Sequence, residues 1–525
     1  MQGIDGHVAA GLGRERAEGP SSSRAALGRN SEGWVAIMAD HTELLRDRLF
    51  IAGDWIGEAT GGTFEHVNPA TGSAQATLPM AGPAEVDAAV SAAQAAFAQW
   101  RDWPANERRD LLFAIADAME ARADEFVQIG VLEGGMPIAL APTVNSALPV
   151  EYFRYYAGWV DKIHGSVVPT YPVTALDYTR REPYGVIAVV IPWNGPCSSL
   201  GQKVAPALAA GNCVVLKPSE LAPFSSLLFA EICAEVGLPP GVLNVLIGGP
   251  ETGSALVGHP DVAKVTFTGG GVTGRKVLMA AAENLTPVVL ELGGKSANLV
   301  FEDADIDAAV FTAVSMGVAA LSGQACLLPT RLLVQDSVYD EVVDQVVEIS
   351  ETLQVGDPWD ESTMMGPLIT DASARRVLAI VERAKSEQAG KLLTGGARLN
   401  GDLAMGNFVA PTVFGDVDPQ SHLAREEVFG PVLSIIRFKD EGQAVRIAND
   451  SDYGLGGFVF TSDLARAHTV AAQLDAGYIG VNHFPVLPPT APFGGVKKSG
   501  FGREGGEPGL LEFLREKNVN ISLER

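Results

Sequence analysis

The sequence predicts an α/β fold with parallel sheets, and three observations predict it. Short apolar runs of strand length alternate with helical runs. Turn clusters rich in Gly, Pro and Asn separate them. Residues with chemical potential fall just after strands, where open parallel sheets gather their ligands.

The elements follow in order. Residues 1–38 are rich in Gly, Ala, Ser and Arg, lack apolar periodicity, and read as a disordered extension. Arg14, Arg16, Arg24 and Arg29 suit a transit peptide, but Asp5, Glu15, Glu18 and Glu32 add acid that such peptides avoid. The simplest account starts the natural chain at Met38. Residues 50–55 read as strand and turn, and 68–72 as a turn cluster. Helical periodicity covers 85–100 and 105–130. Residues 185–191 form a buried strand, followed by a helical stretch over 201–210. Strand 213–217, helix 225–236 and strand 242–246 come next. Strand 262–267 then runs into Gly269 and a helix beginning near Thr273. A second α/β set spans 288–460, with 308–321 as a buried helix. The alternation over 517–523 reads as a strand suited to pairing with another chain.

Composition narrows the class. A chain of 525 residues has room for roughly two or three domains. Hydrophobic residues at 47% and charged residues at 19% give a globular balance. The net charge of −25 argues against nucleic acid and anionic membrane as partners. No uninterrupted apolar run reaches about 18 residues. Cys197, Cys213, Cys233 and Cys326 have neither zinc nor disulfide spacing, which indicates a reducing, cytoplasmic setting and no metal.

Three segments carry chemistry: Pro192-Trp193-Asn194, Glu291-Leu292-Gly293-Gly294-Lys295 and Gly323-Gln324-Ala325-Cys326. A thiol attacks a carbonyl, an amide stabilises the oxyanion and a carboxylate activates water. That set suits oxidation of an aldehyde through a thioester. Glycines at the strand-to-helix junction of Phe267-Thr268-Gly269-Gly270-Gly271-Val272-Thr273-Gly274 allow a pyrophosphate to approach a helix N-terminus. Lys217-Pro218-Ser219-Glu220 ends the strand 213–217. Its Lys and Glu can bond a ribose diol, and the carboxylate disfavours a 2′-phosphate, so NAD is expected over NADP. Read singly, each has a plainer account. Asn194 could cap a helix, Glu291 could be a paired structural carboxylate, and Glu427, Lys217 and Glu220 could be surface charges.

Together these segments, with Glu426-Glu427-Val428-Phe429-Gly430-Pro431-Val432 and Pro492-Phe493-Gly494-Gly495-Val496-Lys497, resemble the aldehyde dehydrogenase superfamily from Leu49 to the C-terminus. The motifs stand in the family's order. The resemblance implies a Rossmann-like NAD-binding domain (39–164 and 183–290), an α/β catalytic domain (291–497) and a small β bridging element (165–182 and 508–525). That element would pair subunits into a homodimer or homotetramer. Cys326 would be the nucleophile, Asn194 and the Cys326 N–H the oxyanion site, and Glu291 the base for water. Trp193, Lys217, Ser219, Glu220, Gly269, Gly270, Gly274, Leu292, Glu427 and Phe429 would surround NAD. Lys203 and Glu504 match polar positions lining the active-site region.

Departures from the family bear on the substrate. Gly270 stands where Ser is frequent. Gly195, Ser199 and Gln202 replace larger tunnel residues, which implies a wide tunnel for bulky, aromatic or long aldehydes. Gln202 also removes an Arg that could grip a distal carboxylate. Ala325, Leu327, His483 and Phe484 complete the expected tunnel, with residues 483–487 as an apolar wall. Two rival readings are a CoA-acylating enzyme, which lacks the water-activating Glu, and a non-catalytic NAD-binding protein on the same scaffold.

Overall fold

A computed structural model of the chain describes residues 42–523. The expected extension over 1–38 lies outside the described residues. The first sheet has eight strands. Across the sheet they run Asp54–Ile56, Leu49–Ile51, Leu243–Val245, Cys213–Lys217, Val186–Val190, Lys264–Thr268, Val288–Glu291 and Gly500–Phe501. The five from Leu243–Val245 to Val288–Glu291 are parallel. Their sequences, such as VIAVV and CVVLK, are apolar and buried almost throughout. Strands covered on both faces carry that pattern. Chain order runs outward from Val186–Val190 in both directions, which makes its boundary with Lys264–Thr268 a topological switch point. Residues 191–194 and Gly269 follow the carboxyl ends of these two strands, where a crevice opens.

The second sheet has seven strands. They run Lys391–Thr394, Thr412–Gly415, Val432–Phe438, Arg331–Gln335, Ala297–Val300, Gly456–Phe460 and Tyr478–Val481. All neighbouring pairs are parallel except the antiparallel edge at Lys391–Thr394.

A three-stranded sheet joins Leu514–Ser522, Ala175–Pro183 and Val167–Val168. The C-terminal strand was expected to pair with another chain. Within its own chain it pairs with Ala175–Pro183, from Leu514 opposite Pro183 to Ser522 opposite Ala175, and its other side is an edge of that sheet. Alternation specifies a strand and is silent on its partner. Lys517 beside Glu182 and Asn520 beside Asp177 help to fix the register.

The helices differ from expectation in three places. The run over 105–130 is two helices, Ala105–Ala121 and Ala123–Gly134, broken at Arg122 (φ −107°, ψ 25°). The Arg122 guanidinium there gathers Glu125, Glu231 and Glu235. The helix expected over 201–210 begins at Pro196 and passes through a π-helical turn, Leu200–Val204. The run 306–323 has the length and mean hydropathy (1.6 over 18 residues) of a membrane span, because an averaged scale tolerates its Ser, Thr and Gly. It is no continuous helix. Ile306–Val314 gives way to a π-turn, Ser315–Ala319, and then to left-handed residues at Leu321 and Ser322. More than half of it (56%) is buried within the protein, as a core helix is.

Leu290 precedes Glu291 on its strand and is 1% exposed. Leu290→Ala should cost about 2–5 kcal/mol. A lowered urea midpoint at unchanged slope is the expected result, and an unchanged midpoint would contradict this packing.

Candidate active site

The loop that carries Cys326 is shaped by backbone constraints. Leu321, Ser322 and Gly323 have φ of 48°, 55° and 71°, three successive left-handed residues. Only Gly takes that region freely, so the two non-glycine residues need support. The Ser322 hydroxyl donates to the Gly366 carbonyl at 2.7 Å. Gln324 Nε2 donates to the Leu321 carbonyl at 3.0 Å, and its Oε1 accepts from the Ile369 amide at 3.0 Å. Any Cβ at Gly323 would strike the Gly430 carbonyl.

Asn194, beyond the strand Val186–Val190, donates from Nδ2 to the Gln324 carbonyl at 2.8 Å. That bond sets the amide beside the cysteine loop and leaves its second N–H for an oxyanion. Gly294 packs against the Cys326 carbonyl so closely that a Cβ there would overlap it.

Glu291 ends the strand Val288–Glu291, opposite Thr268 on one side and Gly500 on the other. It is 2% exposed, and both carboxyl oxygens lack a hydrogen-bond partner in the structure. Burial, then nearby Glu504, raises its pKa well above the usual carboxylate range, against the pull of Lys203 and Arg503. Lys203 and Glu504 form a buried ion pair, and the Lys203 ammonium also donates to the Thr266 hydroxyl at 2.9 Å. The Cys326 thiol is pushed up to about 12 by burial, with Glu427 and Glu291 adding to it. It is therefore protonated near neutral pH and needs a base.

The residues expected to surround NAD come from several segments, and Gly269 follows the strand Lys264–Thr268 at the switch point. Gly270 caps the helix Gly271–Glu283, and a Cβ at Gly270 or Gly271 would meet nothing within 4 Å. Gly269 donates its amide to the Glu291 carbonyl at 3.0 Å. Gly274 lies on Leu292, 2.7 Å from the place a Cβ would take. Lys217 is buried, its ammonium donates to the Pro218 carbonyl at 2.9 Å, and burial lowers its pKa to about 8. Ser219 donates to the Glu220 carboxylate at 3.4 Å. Glu427 accepts from the Gly294 amide at 2.8 Å. Phe429, itself left-handed at φ 51°, meets Trp193 edge-on with ring centroids 5.5 Å apart. The Thr268 hydroxyl is buried without a partner. An open glycine cradle at a helix N-terminus, the carboxylates of Glu220 and Glu427 and the unmatched Thr268 hydroxyl fit NAD.

On the substrate side, Gly195 borders open space, since a Cβ there would meet only Ser198 Cβ at 4.0 Å. Ser199 is 4% exposed, whereas Ser198, which the sequence reading passed over, is more open and donates to the Val144 carbonyl at 3.1 Å. Ala325 and Gln202 are partly exposed, and Leu327 is buried. His483 and Phe484 stack at 4.6 Å but are exposed, so they form an outer rim and no closed wall. The apolar wall at the thiol consists of Leu327, Leu455, Phe458, Phe493 and Leu487. Among these, Leu455, Phe458 and Phe493 were missed. They come from distant segments and carry no chemistry in sequence.

Comparison with known proteins agrees with this geometry. The aldehyde dehydrogenase family model matches residues 55–519, and the chain belongs to that family. An aldehyde dehydrogenase-like protein of Schizosaccharomyces pombe is 40% identical over 476 residues, covering 90% of this chain and 95% of that protein. PnpE of Pseudomonas sp. WBC-3, solved with nicotinamide adenine dinucleotide, is 40% identical with a TM-score of 0.89, over 92% of this chain and 98% of that one. Betaine aldehyde dehydrogenase of Staphylococcus aureus with NAD+ is 34% identical with a TM-score of 0.90, over 93% and 96% of the two chains. The protein is an NAD-dependent aldehyde dehydrogenase.

Because the Cys326 thiol is protonated near neutrality in the free enzyme, its alkylation by iodoacetamide should rise roughly tenfold per pH unit between pH 7 and 10. Peptide mass spectrometry reads the site. A rate flat over this range would show a thiolate already formed.

Proposed function

We propose that the enzyme oxidises a bulky, aromatic or long-chain aldehyde to its carboxylic acid through a thiohemiacetal and then a thioester on Cys326. The observation that carries this reading is the convergence of Cys326, the Asn194 amide and a buried Glu291 with both oxygens unpartnered. Cys326 Sγ bonds to the aldehyde carbon as its proton leaves to a base. The second Asn194 N–H and the Cys326 N–H receive the oxyanion. NAD, when bound, accepts the hydride that leaves this carbon. Glu291 then takes a proton from water, the resulting hydroxide attacks the thioester, and Cys326 departs as thiolate. A carboxylate with a raised pKa is a stronger base for that step. Lys217 and Glu220 would hold the adenosine ribose, and Glu427 the nicotinamide ribose.

Open space at Gly195 and the neutral Gln202 favour large aldehydes without a distal carboxylate. Exposed Val167, Tyr171, Val173, Leu176 and Ile521 on or beside the three-stranded sheet offer a subunit contact, in keeping with a homodimer or homotetramer. Four free cysteines accord with a cytoplasmic setting.

Cys326→Ala should lower turnover at least about a thousandfold while NAD still binds. Glu291→Gln should give a burst of NADH followed by slow turnover. Retained oxidation in the first, or an unchanged steady rate in the second, would reassign those roles. A panel of short, long, aromatic and terpenoid aldehydes with succinate semialdehyde tests the substrate class, and a preference for short aldehydes would overturn it. Glu220→Ala should relax the preference for NAD over NADP, read as the ratio of kcat/KM values. No change would remove Glu220 from cofactor choice.

A further inference from the structure

At the amino ends of Ala297–Val300, Arg331–Gln335 and Gly456–Phe460 lies a small cavity, of about 20 Å³, partly open to solvent. Lys295, Ser296, Arg331, Tyr453, Gly456 and Asp475 are among its lining residues. Lys295 is 2% exposed and Arg331 3%. The Lys295 ammonium and the Ser296 hydroxyl are both buried with no hydrogen-bond partner.

Arg331 spends its guanidinium on carbonyls alone. It donates to Lys295 at 2.8 Å, Ile447 at 3.1 Å and Ala448 at 2.9 Å. Three of the five N–H groups of an arginine are thereby used, and none meets a carboxylate. The nearby carboxylates are engaged elsewhere. Glu427 accepts from the Gly294 amide, Glu426 pairs with Arg383, Asp450 with Arg425, and Asp475 with Lys497. Two buried cations thus share a cavity wall with no carboxylate hydrogen-bonded to either. Burial of an unpaired ion is costly, and buried charges are regularly matched by a partner or a ligand.

We propose that this cavity is a binding site for a small inorganic anion, held by the Lys295 ammonium, the Ser296 hydroxyl and the field of Arg331. Its size excludes a nucleotide. Burial, then Arg331, lowers the Lys295 pKa to about 7, against Glu427 and Glu426, and a bound anion reverses that depression. The site touches the cofactor crevice through one turn. Gly294, next to Lys295, supplies the amide that Glu427 accepts, and Arg331 holds the Lys295 carbonyl. The anion neutralises the cations behind that turn. The inference stands apart from the substrate and from the chemistry at Cys326.

Bromide is the probe. Wild-type enzyme in halide-free gluconate buffer is titrated with sodium bromide at constant ionic strength and its Tm followed. Crystals grown with bromide are measured at the bromine absorption edge. The expected results are a saturable rise in Tm and an anomalous peak against Lys295 Nζ and Ser296 Oγ. Lys295→Met abolishes both, and Ser296→Ala raises the bromide midpoint several-fold. Absence of the peak in wild type, or a peak without any response in solution, overturns the site. So does an equal Tm response in wild type and Lys295→Met. Should Lys295→Met not fold, the wild-type peak and the Ser296→Ala titration decide alone.

Discussion

Gly294 lets two segments of the chain approach more closely than any side chain would permit. The turn that follows Glu291 lies on the Cys326 carbonyl on one side and donates to the Glu427 carboxylate on the other. The first contact sets the Cys326 loop relative to the strand that carries Glu291. The second sets a cofactor-side carboxylate relative to both. The first sheet is fixed to the second through this turn, so the thiol, the base and the nucleotide crevice keep one geometry.

The second governing condition is burial. Glu291, Glu504, Lys203 and Cys326 occupy a protein-lined region in which charge is poorly solvated. Burial keeps the thiol protonated and makes the carboxylate a stronger base than it would be in water. A thiol held protonated reacts with oxidants more slowly than its thiolate.

The parallel sheets and the places of Asn194, Lys217 and Gly269 were legible because strand ends are marked by apolar runs that stop at Gly, Pro or polar residues. Glu291 was legible only through its motif, since its role depends on Gly500, Lys203 and Glu504 arriving from three other segments. The wall of Leu455, Phe458 and Phe493 was illegible because apolar residues in a core and at a substrate look alike in sequence. Ser198 and Ser199 differ by one position along a helix, and residue type alone does not fix that phase. The break at Arg122 was hidden because Arg is a good helix former, and the glutamates Glu231 and Glu235 that its side chain meets are distant in sequence. The grouping of 165–182 with 508–525 came from the resemblance, since alternation alone does not say that Leu514–Ser522 pairs with Ala175–Pro183.

The closing strands of the first sheet come from opposite ends of the described chain. Leu49–Ile51 and Asp54–Ile56 lie at one edge, and Gly500–Phe501 lies at the other, directly against Glu291. Glu504, which meets Lys203, follows a few residues later. During synthesis these late segments leave the ribosome last. A nascent chain can therefore build the parallel strands of both sheets while its candidate base has neither its outer neighbour nor its buried ion pair. The surroundings of Glu291 are thus complete only once residues 500–504 have joined the fold.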